Sequence, residues 1–299
     1  MADDLHPDAR EFLDRTEDAP PLHELSPAEA RANQRRNALP ATDPEPVASV
    51  DDVVVRGDGH GLPLRVYTPE GDGPFPVLVW AHGGGFVLGD IDTEDPLGRA
   101  LANACECVVV SVDYRLSPEH TFPAALRDVY AATEWAASES GRFGGDADRV
   151  AVGGASAGGA LAAGTALYAR DHDGPAIDYQ VLVYPAVNRD QSFPSVEEYS
   201  GFFLTREEME WVGEQRFADP IHGENPYAHP LLAEDLGGLP AAAVVTAGYD
   251  PLQDACKAYA DALDADGVDV TRHHYGDMIH SFFGRLGDAE WERAREAVE

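Results

Sequence analysis

Ser156 stands in the run Val150-Ala151-Val152-Gly153-Gly154-Ala155-Ser156-Ala157-Gly158-Gly159, between an apolar stretch and an alanine-rich one. Gly154 to Gly158 fits G-x-S-x-G, a strand–turn–helix corner that lifts a serine hydroxyl above the end of a sheet. So tight a corner needs neighbours without side chains, and the helix that starts there turns unpaired N–H groups toward any developing negative charge. Serine attacks a carbonyl only when a base takes its proton and a third group holds the base. Asp250, in Ala247-Gly248-Tyr249-Asp250-Pro251-Leu252, and His280, in Met278-Ile279-His280-Ser281-Phe282, follow in the chain order Ser, Asp, His. Donors for an oxyanion are offered by the backbone N–H groups of Gly83-Gly84-Gly85, which follow Trp80 and His82, and by the N–H of Ala157.

Each assignment has a structural alternative. Gly- and Ala-rich corners also occur in α/β proteins that do no acyl chemistry. Asp250 can cap a helix, with Pro251 in its first turn. His273 and His274 compete with His280, but they fall within a strand pattern where at most one faces the serine. His82 reads as a residue that shapes the glycine loop. Asp113, Arg115 and Glu119 read as one buried network of ion pairs beneath the site. Trp211, Phe202 and Phe203 suit an acyl pocket or the apolar core of a lid equally well.

The elements that must position these residues follow from periodicity. Residues 1–48 predict helices: Pro7 to Asp18, then a capping box Ser26-Pro27-Ala28-Glu29 opening a helix to about Ala38, stopped by Leu39-Pro40. Strands are expected at Val53–Val55, Leu62–Tyr67, Pro76–Trp80, Cys107–Val112, Val150–Val152, Val181–Tyr184, Ala242–Thr246 and Val268–His274. Gly57-Asp58-Gly59-His60-Gly61 joins the first two as a hairpin. Helices are expected to about Ser138, from the serine to about Arg170, from about Gln253 to Ala265, and from about Ala289. Residues 188–240 contain no convincing strand, but Thr205-Arg206-Glu207-Glu208 is a second capping box, opening a helix to about Phe217. Alternating strands and helices predict a mostly parallel sheet covered on both faces, with ligands at the carboxyl ends of its strands. The expected units are an α/β domain of residues 49–187 and 241–299, a separate helical stretch of residues 1–48, and an insertion, residues 188–240, that reads as a lid or binding element.

Composition bounds the rest. The chain has 299 residues, 21 Lys+Arg against 54 Asp+Glu, and a net charge of −33; its only lysine is Lys257. Such acidity repels nucleic acid and fits a protein kept folded and dissolved by concentrated salt, which screens the self-repulsion. No apolar run is long enough to span a bilayer, and the acidic N-terminus is unlike a secretory signal, so a cytoplasmic protein without a membrane partner is expected. Cys105, Cys107 and Cys256 imply neither a disulfide framework nor a metal site.

Four regions together resemble the hormone-sensitive lipase family of esterases, in its bacterial and archaeal branch: His82-Gly83-Gly84-Gly85 with the serine corner, Asp113 to Ala125, Asp250-Pro251-Leu252, and His280-Ser281-Phe282. The resemblance implies an α/β-hydrolase fold and hydrolysis of short- to medium-chain carboxylic esters, without metal or cofactor, by Ser156 as nucleophile, His280 as base and acid, and Asp250 as its orienter. It implies Gly84, Gly85 and Ala157 as oxyanion donors with Gly83 shaping the loop, a two-part helical cap made of residues 1–48 and 188–240, and a homodimer. Ala155 departs from the family's usual aspartate, and Ser117 from its usual alanine. Amide hydrolysis by the same residues is a second reading. A ligand receptor that has lost catalysis is a third, disfavoured by His280 standing in its motif. Action on long-chain emulsions is disfavoured by the lack of an apolar interfacial face.

Overall fold

The computed structural model describes residues 4–37 and 44–284. Its strands are β1 (Ser49–Arg56), β2 (Gly61–Thr68), β3 (Phe75–Ala81), β4 (Val108–Val112), β5 (Gly145–Ala155), β6 (Tyr179–Val183), β7 (Ala241–Tyr249) and β8 (Val270–Ile279). They form one sheet in the order β1-β2-β4-β3-β5-β6-β7-β8. The pairs β1·β2 and β2·β4 are antiparallel, and all the others are parallel.

The inner strands are apolar on both faces because helices cover both. Val77, Val79, Val110 and Val152 point to one side, against α4 (Ala124–Glu139), α5 (Ala157–Asp171) and α8 (Gln253–Ala265) through Leu126, Val129, Leu161, Leu167 and Tyr259. Leu78, Trp80, Val109 and Val245 point to the other, against α3 (Asp95–Ala104) and α1 (Pro7–Thr16) through Leu97, Leu101 and Ala9. Each fully buried aliphatic side chain contributes roughly 1.5–3 kcal/mol.

Both capping boxes form. Ser26 Oγ accepts from the Glu29 N–H at 3.3 Å while Glu29 accepts from the Ser26 N–H at 3.0 Å, opening α2 (Pro27–Asn37). Thr205 and Glu208 do the same for α7 (Arg206–Arg216). Between β6 and β7, residues 188–240 supply α6 (Pro194–Tyr199), α7 and short 3-10 turns, with a single Phe202–Leu204 bridge among the described residues.

Two features differ from expectation. α3 was not foreseen, although Leu97 and Leu101 lie one turn apart behind Pro96. β8 does not stop at His274 but runs on to Ile279. Gly248 and Gly276 make this possible: a Cβ on Gly248 would strike the Gly276 backbone, so two bare backbones cross where the β7·β8 register shifts. The stop at Leu39-Pro40 and the helix expected from Ala289 lie outside the described residues.

Candidate active site

Three strands end one residue short of the three side chains in question. Ser156 follows β5, Asp250 follows β7 and His280 follows β8. His280 Nδ1 lies 2.8 Å from Asp250 Oδ2, and its Nε2 lies 2.9 Å from Ser156 Oγ. Asp250 is 0% exposed and His280 3%, so the carboxylate and imidazole meet out of water. His273 and His274 take no part; His274 Nδ1 instead meets Thr246 Oγ1 at 2.9 Å. Asp250 does not cap the helix, which begins at Gln253 with Leu252 at its N-cap; its Oδ1 accepts from the Leu252 N–H at 2.8 Å in the turn before it.

The serine corner is strained as its pattern requires. Ser156 has φ 55° and ψ −113°, a conformation non-glycine residues rarely adopt. A Cβ on Gly158 would run into the carbonyl oxygens of Ala81 and His82, and one on Gly154 would lie 2.6 Å from Ala81 O. No side chain fits where β3, β5 and α5 converge. Ala155 lacks a carboxylate and packs in the apolar cluster with Val183 and Tyr184. Backbone bonds hold the corner: Ser156 N–H donates to Val183 O at 2.9 Å, while Ser156 O accepts from Ala160 at 3.1 Å and Ala186 at 3.0 Å.

The loop after β3 runs alongside. A Cβ on Gly83 would sit 3.9 Å from Ser156 Cβ, and Gly84 and Gly85 take φ 117° and 61°. Among the described residues neither Gly84 nor Gly85 donates its N–H to an acceptor. Ala157 is the first residue of α5, so its N–H has no partner within the helix. Three free donors thus lie on the two segments flanking the hydroxyl, an arrangement able to hold a negatively charged oxygen.

One helix from the N-terminal segment and one from the insertion grip this loop. From α2, Arg31 donates to Val87 O at 2.7 Å and Ser117 O at 2.7 Å, and Gln34 accepts from the Gly89 N–H at 2.8 Å. From α7, Val212 reaches Gly85, where a Cβ would lie 2.8 Å from its Cγ2. Leu22 N–H donates to Glu208 at 3.0 Å, tying the N-terminal segment to α7. Phe203 packs on Phe12 and Phe202 on Tyr249, with ring centroids 5.4 and 5.0 Å apart; the more buried Trp211 is core.

The network expected beneath the site divides in two. Arg115 makes a bidentate pair with buried Asp128, at 2.8 Å on each oxygen, and Glu119 pairs instead with Arg31, which holds its carboxyl down to about 2. Asp113 joins neither; burial, then Asp90 and Asp92, push its carboxyl up. They part because Arg31, unseen as a partner in the sequence, arrives from α2. His82 is structural as expected: its ring stacks on Tyr114 at 4.1 Å, and Tyr114 Oη donates to His82 O at 2.8 Å. Tyr184, which the motifs did not single out, lays its ring 4.7 Å from that of His280.

His229 sits behind α7, with Nδ1 2.9 Å from Gly223 O and Nε2 3.3 Å from Arg216. Burial, Arg216 and Arg189 push its pKa down to about 3. The unfolded chain binds this proton near the ordinary value of about 6.5, so the stabilisation is complete above that pH and is lost as pH falls towards about 3. Urea denaturation should therefore show wild type losing on the order of 1–4 kcal/mol more than His229→Gln between pH 7 and pH 4. Equal losses would contradict the assignment.

Among the described residues no helix is long and apolar enough to cross a membrane, and no cluster of three His, Cys, Asp or Glu is arranged to hold a metal. A family model described as the alpha/beta hydrolase fold matches residues 78–284. Esterase LipI of Mycobacterium tuberculosis is 40% identical over 259 residues, covering 85% of this chain and 81% of that protein. An arylesterase of Saccharolobus solfataricus is 40% identical over 246 residues, covering 82% and 80%. Among solved structures, an ester hydrolase from the metagenome of Lake Arreo, in complex with a bipyridine phosphonate derivative, superposes with a TM-score of 0.92 at 38% identity over 98% of this chain and 97% of that one.

Proposed function

The chain belongs to the α/β-hydrolase fold family, and from that premise we propose that it is a serine carboxylesterase acting on short- to medium-chain esters. The observation that carries the reading is the continuous line from Asp250 through His280 to Ser156, at 2.8 and 2.9 Å. In this reading His280 Nε2 takes the Ser156 proton as Oγ attacks the ester carbonyl. The tetrahedral oxyanion is received by the N–H groups of Gly84, Gly85 and Ala157. His280 then hands its proton to the departing alcohol, leaving an acyl-serine. Water, deprotonated by the same imidazole, releases the acid and restores Ser156. No step requires a metal or cofactor.

We assign α1, α2 and residues 188–240 to a two-part cap, supported by the grip of Arg31, Gln34 and Val212 on the glycine loop. The motifs favour the bacterial and archaeal hormone-sensitive lipase branch. The test is chemical. A fluorophosphonate should form a single adduct, and peptide mapping should find it on Ser156, while a series of p-nitrophenyl esters should peak at short to medium acyl lengths. An unlabelled protein without ester turnover would remove the reading.

The net charge of −33 supports salt adaptation and no nucleic-acid partner. With 54 acids to 21 cations, like charges predominate and repel one another. The melting temperature should rise by about 10 °C or more between low salt and molar KCl, as screening removes several kcal/mol of repulsion. A flat profile would refute salt adaptation and leave the esterase assignment standing.

A further inference from the structure

Arg216 closes α7 and is 4% exposed, yet among the described residues its guanidinium pairs with no carboxylate. In a chain with 54 acidic side chains this isolation stands out, because a buried charge without a partner is costly. Its partners are of another kind. Nη2 donates to Ala228 O at 2.9 Å, Nη1 meets His229 Nε2 at 3.3 Å, and the guanidinium carbon lies 3.6 Å from the centre of the Phe86 ring. The first two bonds fix the plane of the group, and that plane covers Phe86.

Phe86 is the residue directly after Gly85. It holds φ 61° without being glycine, a strained state that persists only when its surroundings over-determine it. Its carbonyl is fixed by the Ser117 N–H at 2.9 Å. Its ring is fixed by Arg216. We propose that Arg216 is a positioning residue for the oxyanion donors: by stacking on Phe86 it locks the turn that aims the Gly84 and Gly85 N–H groups, and so couples α7 to the loop. The inference rests on the esterase reading. A cation over an aromatic face, away from water, is a strong and directional contact, and the flat guanidinium suits it better than an ammonium. The displacement of such donors by about 1 Å costs up to roughly a hundredfold in rate.

The experiment measures kcat and KM for p-nitrophenyl butyrate, with affinity for a trifluoromethyl ketone that forms a tetrahedral adduct. Arg216→Met should lower kcat about 10- to 100-fold with KM changed less than about threefold, and weaken the ketone by the same factor as kcat. Arg216→Lys, which keeps the charge and loses the plane, should recover only part of this. Phe86→Leu should match Arg216→Met, and the double variant should be no worse than either single one, since both remove one contact. Should Arg216→Met fail to fold, the lysine and Phe86 variants carry the same comparison. Unchanged kcat, or losses that add in the double variant, overturns the inference while wild-type turnover keeps the esterase reading intact. Wild type without any ester turnover overturns both.

Discussion

Ser156→Ala is expected to lower kcat/KM for p-nitrophenyl butyrate by roughly four to six orders of magnitude, with melting temperature and circular dichroism unchanged. The two halves of that expectation have separate causes. Alanine retains the Cβ, so the backbone at φ 55° bears the same strain, and the bond from residue 156 N–H to Val183 O survives. Only Oγ is lost, the atom 2.9 Å from His280 Nε2. The imidazole then has water alone to activate, and the remaining rate comes from binding and the oxyanion donors. Ser156→Gly is a poorer test, because glycine would relieve the corner and change stability together with chemistry. A variant keeping more than a hundredth of the wild-type rate would mean that another hydroxyl attacks. Ser281, beside His280 and itself at φ 67°, is the first to examine by mapping the fluorophosphonate adduct.

What the sequence made legible is what local chemistry determines. The G-x-S-x-G corner, the two capping boxes and the apolar runs of β3 and β4 each depend on neighbours within a few residues, and each formed where expected. The chain order of Ser156, Asp250 and His280 sufficed to pick them out because each follows a strand whose carboxyl end points to the same edge of the sheet. Long-range pairing was not legible. Arg31 and Glu119 are bonded across most of the N-terminal half, and nothing near Glu119 announces a helix arriving from outside the sheet. Hence, of three charged residues read as one network, Arg115 pairs with Asp128, Glu119 with Arg31, and Asp113 joins neither pair.

The end of β8 illustrates a second limit. Gly276 and Asp277 look like turn residues, and single-chain periodicity ends the strand before them. In the fold Gly276 is a contact point, bare because the Gly248 backbone lies against it. The glycine that reads as a break is what lets two strands run close enough to deliver Asp250 and His280 to one place. Arg216 was hidden for a related reason: an arginine in the last turn of a helix ordinarily reads as a solvated end charge, and only the arrangement of Phe86, Ala228 and His229 shows it to be buried.

Asp250→Asn separates geometry from charge and should lower kcat/KM by about ten-thousandfold, comparable with the loss when the equivalent orienter is changed in a well-studied serine protease. The structure fixes how the amide must sit. Asp250 Oδ1 accepts the Leu252 N–H at 2.8 Å, so the asparagine has to keep its oxygen there, since turning its NH2 toward Leu252 would set two donors face to face. The NH2 then points at His280 Nδ1, where the carboxylate now lies 2.8 Å away. Nδ1 can answer only as an acceptor, which leaves the imidazole proton on Nε2, directed at Ser156 Oγ. In that tautomer the ring can donate to the serine but cannot receive its proton. Shape and packing stay almost the same, so the melting temperature should change little while fluorophosphonate labelling slows in parallel with turnover. If the variant instead kept more than a tenth of wild-type kcat/KM, Asp250 would be a turn residue that happens to touch the histidine, and the orienting group would have to be sought elsewhere.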